Sequence, residues 1–153
     1  MIMLQDTIDI RTSPEQVFTW LDHLPEHYLA WHPDHVACRF VKGDAFKEGS
    51  ILYAEEYIHG KLHRLRFRAT CIIPNSRLEY SLFPGMKGAM IIQPLNGMVR
   101  FTATLTFGTR VPMLGWLLDR ALEPLLSRRL EAMRRHMQEE GENLKRLLEE
   151  TAS

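Results

Sequence analysis

Glu140 falls in the middle of an apolar stripe near the C-terminus, with His136 one helical turn before it. A lone carboxylate buried among Leu and Met side chains is costly or gives up its charge. Glu140 therefore requires a partner, either a cation or a metal ion. A His and a Glu four residues apart on a helix can both reach one ion. Two further segments carry ligand-type residues: Trp31-His32-Pro33-Asp34-His35, and the run 55–63 with Glu55, Glu56, Tyr57, His59 and His63. Glu56 shares strand parity with Leu52, Ala54 and Ile58, so if that face is the inner one it points into the same space as Glu140. Two histidines and two carboxylates around one cavity make a divalent-metal site, with zinc the first candidate and one coordination position open. Either His32 or His35 can supply a histidine beside His136, and spacing alone does not choose between them.

Plainer accounts compete. Glu140 can sit in a buried ion pair with an arginine such as Arg129. Glu56 can lie on an exposed strand edge, with Glu55 and Glu139 as solvated neighbours. His27 and His59 suit a wet helix face and a turn, and His63 suits either the cavity mouth or the surface. Arg64, Arg66 and Arg68 alternate along one strand and read as a solvated sheet face. Cys38 and Cys71 read as packing residues on buried strand faces.

The elements that must position these groups follow from periodicity. Leu4, Ile8 and Ile10 alternate with polar residues as a half-buried first strand. Ser13-Pro14-Glu15-Gln16 opens a helix, with Ser13 as N-cap, Pro14 in the first turn and Gln16 able to close a capping box. A second short helix, 26–31, starts after Pro25 and stops before Pro33. Six strands come next: Val36-Cys38-Phe40, then 51–58, 62–73, 78–83, 89–95 and 99–107. Gly60, Pro74-Asn75, Pro84-Gly85 and Asn96-Gly97 punctuate them. The final helix begins near Pro112, with a kink or restart expected at Pro124. Its stripe reads Leu122, Leu126, Met133, Met137, Leu144, Leu147, and Glu140 lies near its centre at about 100° per residue. Short turns imply an antiparallel meander. The last helix must bury its stripe against that sheet, which makes the fold α+β.

Composition narrows the function. The 153 residues suit one domain, 1–153. Nineteen Lys and Arg balance nineteen Asp and Glu, which gives no general attraction for nucleic acid or an anionic membrane. Two cysteines without a CxxC spacing suit a reducing compartment. The start of the chain does not read as a signal peptide, and the longest apolar run, 111–118, is too short to span a bilayer. A cytoplasmic protein is expected. The 111–118 run is also a candidate docking patch for a membrane or partner.

The order of one strand, two helices, six strands and a long helix, together with IDIRTSPEQVFTWL, resembles the START-like (SRPBCC) helix-grip superfamily, which includes Bet v 1 relatives and polyketide cyclases. That resemblance covers essentially the whole chain. It implies a curved antiparallel sheet wrapped around the C-terminal helix, with a cavity between them. WHP, EEYIHGKL and HMQEE are similar to the corresponding segments of the diacetylphloroglucinol hydrolase family, zinc enzymes that cleave a carbon–carbon bond between an acyl group and a ring. This second resemblance implies His32, Glu56, His136 and Glu140 as metal ligands and His35 as a polar active-site residue. The chain lacks that family's extra length, and residues 80–109 carry no motif that aligns with it.

The expected function is a metal-dependent hydrolase of a small, apolar, carbonyl-bearing aromatic or polyketide-like compound. His35, Tyr57 and His63 are its candidate proton carriers. The alternative is a non-catalytic carrier of a hydrophobic ligand, in which the polar cluster only orients what is bound.

Overall fold

The protein is described from a computed structural model that covers residues 2–82, 85–108 and 112–151, with side chains outside 112–126. Seven strands form one antiparallel sheet: β1 (Ile2–Ile10), β2 (His35–Lys42), β3 (Ile51–Ile58), β4 (Lys61–Ile73), β5 (Arg77–Leu82), β6 (Met86–Leu95) and β7 (Met98–Phe107). Their order in the sheet is β1-β7-β6-β5-β4-β3-β2. Strands β2 to β7 are a meander, as the short turns imply. The β3–β4 turn holds His59 at φ 54° and Gly60 at φ 74°, the two positive values that a tight two-residue hairpin requires. The connection from β1 at one edge to β2 at the other is made by α1 (Pro14–Asp22) and α2 (Leu24–Trp31).

Helix α1 starts as its residues dictate. Ser13 is the N-cap, its hydroxyl accepts the Gln16 backbone N–H at 3.2 Å, and Pro14 fills the first turn. The Gln16 side chain does not close the reciprocal half of a capping box; its carbonyl accepts the Thr12 hydroxyl at 2.5 Å instead. Ser13→Ala should lower unfolding free energy by about 1 kcal/mol, read as a shift in urea midpoint at unchanged slope. A loss within error would mean that the cap is redundant with packing of Val17 and Leu21.

The last element, α3 (Pro112–Thr151), runs without a break through Pro124. The side chains of Leu122 and Leu126, and the 111–118 docking patch, lie outside the described residues. The C-terminal part of α3 packs across β1, β3 and α2. Met137, Leu144 and Leu148 are buried there, so the apolar stripe ends on Leu148 rather than Leu147. Leu144 joins Ile10, Val17, Leu21, Val99 and Phe101 in the main core. Sheet and helix thus form the helix-grip architecture.

Two strands depart from regular alternation. In β2 an extra residue stands between His35 and Ala37: His35 pairs with Glu56 while Ala37 pairs with Glu55. This bulge turns Val36 outward, 42% exposed, where simple alternation with Cys38 and Phe40 would bury it. In β4 a second irregularity lies between Ala69 and Cys71, so Ile72 pairs with Leu78 and packs on the core while Cys71 pairs with Glu79. Cys71 is thereby moved off the inner face expected for it.

Candidate metal centre and ligand cavity

A cavity of about 230 Å³ lies between sheet and α3. Its wall is mostly Leu, Phe and Met from β3 to β7 and from α3, and its polar groups are Tyr28, Glu56, His63, Tyr80, His136 and Glu140. Glu56 is buried beside Leu52 and Ala54, as strand parity requires.

Four of the site residues meet at the wall of this cavity. His35 comes from the start of β2, Glu56 from β3, and His136 and Glu140 from α3. One ligand atom from each lies within 4.8 Å of every other. His35 Nε2 is 2.9 Å from Glu140 Oε1 and 3.3 Å from Glu56 Oε2. His136 Nε2 is 3.1 Å from Glu140 Oε1 and 3.6 Å from Glu56 Oε2. A tetrahedral zinc site with bonds of about 2.0–2.1 Å has edges of about 3.3 Å, so these four nitrogen–oxygen edges bracket the value a tetrahedron needs.

Surrounding groups hold the ligands. The Tyr28 carbonyl can only accept, so His35 Nδ1 carries the proton of their 2.8 Å bond and Nε2 is turned to the carboxylates. The rings of Tyr28 and His35 stack at 3.8 Å. The Tyr28 hydroxyl donates to Glu56 Oε2 at 2.6 Å. The indole of Trp31 donates to the Glu140 carbonyl at 2.9 Å, and Asn143 donates back to the Trp31 carbonyl at 2.9 Å. These two bonds fix the rotation of α3 relative to α2. Tyr28 and Asn143 escaped sequence reasoning. A Tyr in a helix reads as packing, and no local spacing announces a hydroxyl that bonds 28 residues away.

The sequence-derived candidates separate accordingly. His32 is buried, but both its ring nitrogens are committed: Nδ1 accepts the Asp34 backbone N–H at 3.0 Å, and Nε2 donates to Glu139 at 2.6 Å. It also forms a grouping with His35 and His136 that lacks a carboxylate. His35 and His136 belong to both groupings of possible metal-holding side chains, His32 to the first and Glu56 and Glu140 to the second. Glu139 is a partner of His32 rather than a merely solvated neighbour. Glu140 is paired with His35 and His136, not with Arg129. Tyr57 is 45% exposed on the opposite face of β3 from Glu56. His63 is exposed yet lines the cavity, directly across the β3–β4 ladder from Glu56.

Without a metal the cluster is a ring of ion pairs. Burial works against the charged form of each histidine, but hydrogen bonds and the charges of Glu140 and Glu56 outweigh it. They raise His35 to about 9 and His136 to about 10. Burial likewise works against ionised Glu56 and Glu140, and their hydrogen bonds to His136 and His35 hold both below the usual carboxylate range. Two imidazoliums facing two carboxylates leave no net charge in the wall.

Comparison with known proteins agrees with the architecture. Among curated proteins no sequence matches. The solved structure of TTHA0849 from Thermus thermophilus is similar at TM-score 0.70 and 16% identity, covering 99% of this chain and 100% of that one. The Zhui aromatase/cyclase from Streptomyces sp. R1128 is similar at TM-score 0.64 and 14% identity, covering 95% of each chain. A START superfamily protein from Mycobacterium smegmatis is similar at TM-score 0.58 and 18% identity, covering 88% of this chain and 95% of that one. At such identities the likeness is one of fold. The family model described as polyketide cyclase / dehydrase and lipid transport matches residues 1–149, and the chain, with its gripped helix and apolar cavity, belongs to that family.

Proposed function

We propose that the protein binds a small hydrophobic molecule in the cavity between sheet and helix, and that it hydrolyses a carbonyl-bearing aromatic or polyketide-like compound there with a divalent metal, zinc first, held by His35, Glu56, His136 and Glu140. One observation carries the reading: four donor atoms, two nitrogens and two carboxylate oxygens, lie within 4.8 Å of one another on the wall of an otherwise apolar cavity. A bound divalent ion supplies a Lewis acid for a carbonyl oxygen and activates water near neutral pH. The chain's own residues do the rest. The apolar wall orients the organic part of the ligand and excludes bulk water. His63 faces the cavity beside Glu56 and is the candidate proton carrier. Tyr57, turned to the outer face, is assigned no part.

A second reading draws on the same cluster. Its charges balance without a metal, which suits a carrier or a metal-free cyclase that uses the imidazoliums as proton donors. Elemental analysis of protein purified without chelator separates the two. About one equivalent of divalent metal is expected. Chelation should lower the melting temperature, because an ion that binds only the native state adds about 2.7 kcal/mol at a hundred times its Kd. Chelation should also stop hydrolysis of a panel of acylated phenols and aryl ketones. Protein that carries no metal and gains no melting temperature from added zinc would hand the site to the second reading.

A further inference from the structure

Tyr80 is a polar group of the cavity to which neither the metal cluster nor proton transfer by His63 gives a part. It stands on β5, opposite Ala69 on β4 and Gly88 on β6. Its ring meets Phe67 edge-on, with centroids 5.3 Å apart. Gly88 is what gives the ring its place: a Cβ built there would overlap the Tyr80 ring tip and hydroxyl. The ring therefore leans flat along the sheet onto a bare backbone and forms part of the cavity wall. Every other neutral hydroxyl or indole donor lining the cavity is already committed: Tyr28 to Glu56 and Trp31 to the Glu140 carbonyl. Among the described residues nothing accepts a hydrogen bond from Tyr80.

We propose that Tyr80, seated on Gly88, is the specificity-determining donor of this cavity, and that it selects small ring compounds carrying an oxygen acceptor on the ring in addition to the group presented to the cluster. The inference rests on the reading of the cavity as a ligand site but not on the metal. Burial first, then the charges of Glu140 and Glu56, raise the phenol far above its ordinary value, so it stays a neutral donor. A donor without a protein partner at an apolar cavity wall penalises ligands that cover it unmet and favours those that satisfy it. The volume agrees with the class. Roughly 150 Å³ of apolar cavity holds benzene, so about 230 Å³ takes one substituted ring.

The test uses two near-isosteric probes, 4′-methoxyacetophenone and 4′-ethylacetophenone, titrated into the protein as purified and followed by calorimetry and tryptophan emission. The methoxy oxygen accepts but cannot donate, so only a protein donor can favour it. The wild type is expected to prefer the methoxy probe, and Tyr80→Phe to shift that preference toward the ethyl probe by about tenfold, with affinity for the ethyl probe unchanged. Gly88→Ala, whose methyl claims the space of the ring tip, should push Tyr80 into the cavity and weaken both probes together. A preference that Tyr80→Phe does not move, or a Gly88→Ala variant that binds both probes as the wild type does, overturns the assignment while leaving the cavity a ligand site. Absence of binding by either probe to the wild type overturns the cavity reading itself, and the role of Tyr80 with it.

Discussion

Glu140→Gln is expected to lower zinc affinity by more than ~100-fold, because even residues that only support metal ligands cost about 10–100-fold when changed. The amide keeps the volume and can still accept hydrogen bonds from His35 and His136, but it removes the carboxylate that lies within 3.1 Å of both ring nitrogens. Glu139→Gln is the control. Glu139 accepts from His32 at 2.6 Å on the other flank of the helix, and an amide oxygen can accept the same bond, so affinity should stay within about threefold. His35→Ala and His32→Ala extend the comparison: loss of binding is expected from the first, while the second leaves all four donors present. Competition with a chromophoric chelator measures each variant. Equal losses from the two glutamate variants, or metal retained by His35→Ala, would refute the four-residue site.

The second large effect is on pH. His35 and His136, at about 9 and about 10 in the metal-free protein, both carry a proton at pH 7.5, and a ligand nitrogen must lose it. Zinc binding at that pH should release about two protons, and affinity should climb by up to about a hundredfold per pH unit from 7 to 9. A site of ordinary histidines would instead level off above about 6.5. The linkage to stability has the opposite sign. The folded values of the histidines lie above the unfolded one, so in the metal-free protein their contribution is complete below about pH 6.5 and is lost as pH rises through 9 and 10. Glu56 and Glu140 are lowered, so their contribution is present above their unfolded pKa of about 4.5 and is lost as pH falls. Metal-free protein should therefore melt highest near about pH 5–6.5, between the ordinary values of unfolded Glu and His, and the zinc-dependent gain in melting temperature should widen toward pH 9. Calorimetry in buffers of different ionisation enthalpy counts the protons. Release of fewer than about half a proton at pH 7.5 would mean that the histidines are not held charged by the carboxylates.

Much of this was legible in the chain. Periodicity located every element, and the turn residues located the hairpins. The mid-stripe position of Glu140 and the strand parity of Glu56 are properties of regular helices and strands, so they carried directly into the cavity. What failed was regularity itself. Regular pairing in β2 would place Val36 inward opposite Glu56; the bulge turns it out and puts His35 there instead. A bulge has no strong side-chain signature, so nothing in the segment WHPDH distinguished His35 from His32. The irregularity after Ala69 misplaced Cys71 for the same reason. Tyr28 and Tyr80 were missed differently. Their roles depend on partners far along the chain, a carboxylate in one case and an empty glycine face in the other, and a tyrosine in a helix or strand is ordinary packing until those partners are known.

The extra residue in β2 has a consequence for how such a centre arises and disappears. With Val36 kept but paired regularly, Val36 would stand opposite Glu56 and His35 opposite Tyr57 on the outer face, and the inward donor would be gone although every candidate residue were still encoded. The cluster therefore depends on how the strand accommodates Val36, by bulging it out or by pairing it, with no change in the chemical alphabet of the segment. Descent in this family is therefore poorly traced by asking whether relatives share the histidine. The informative character is which residue stands inward opposite the β3 glutamate, a property of strand pairing rather than of residue identity.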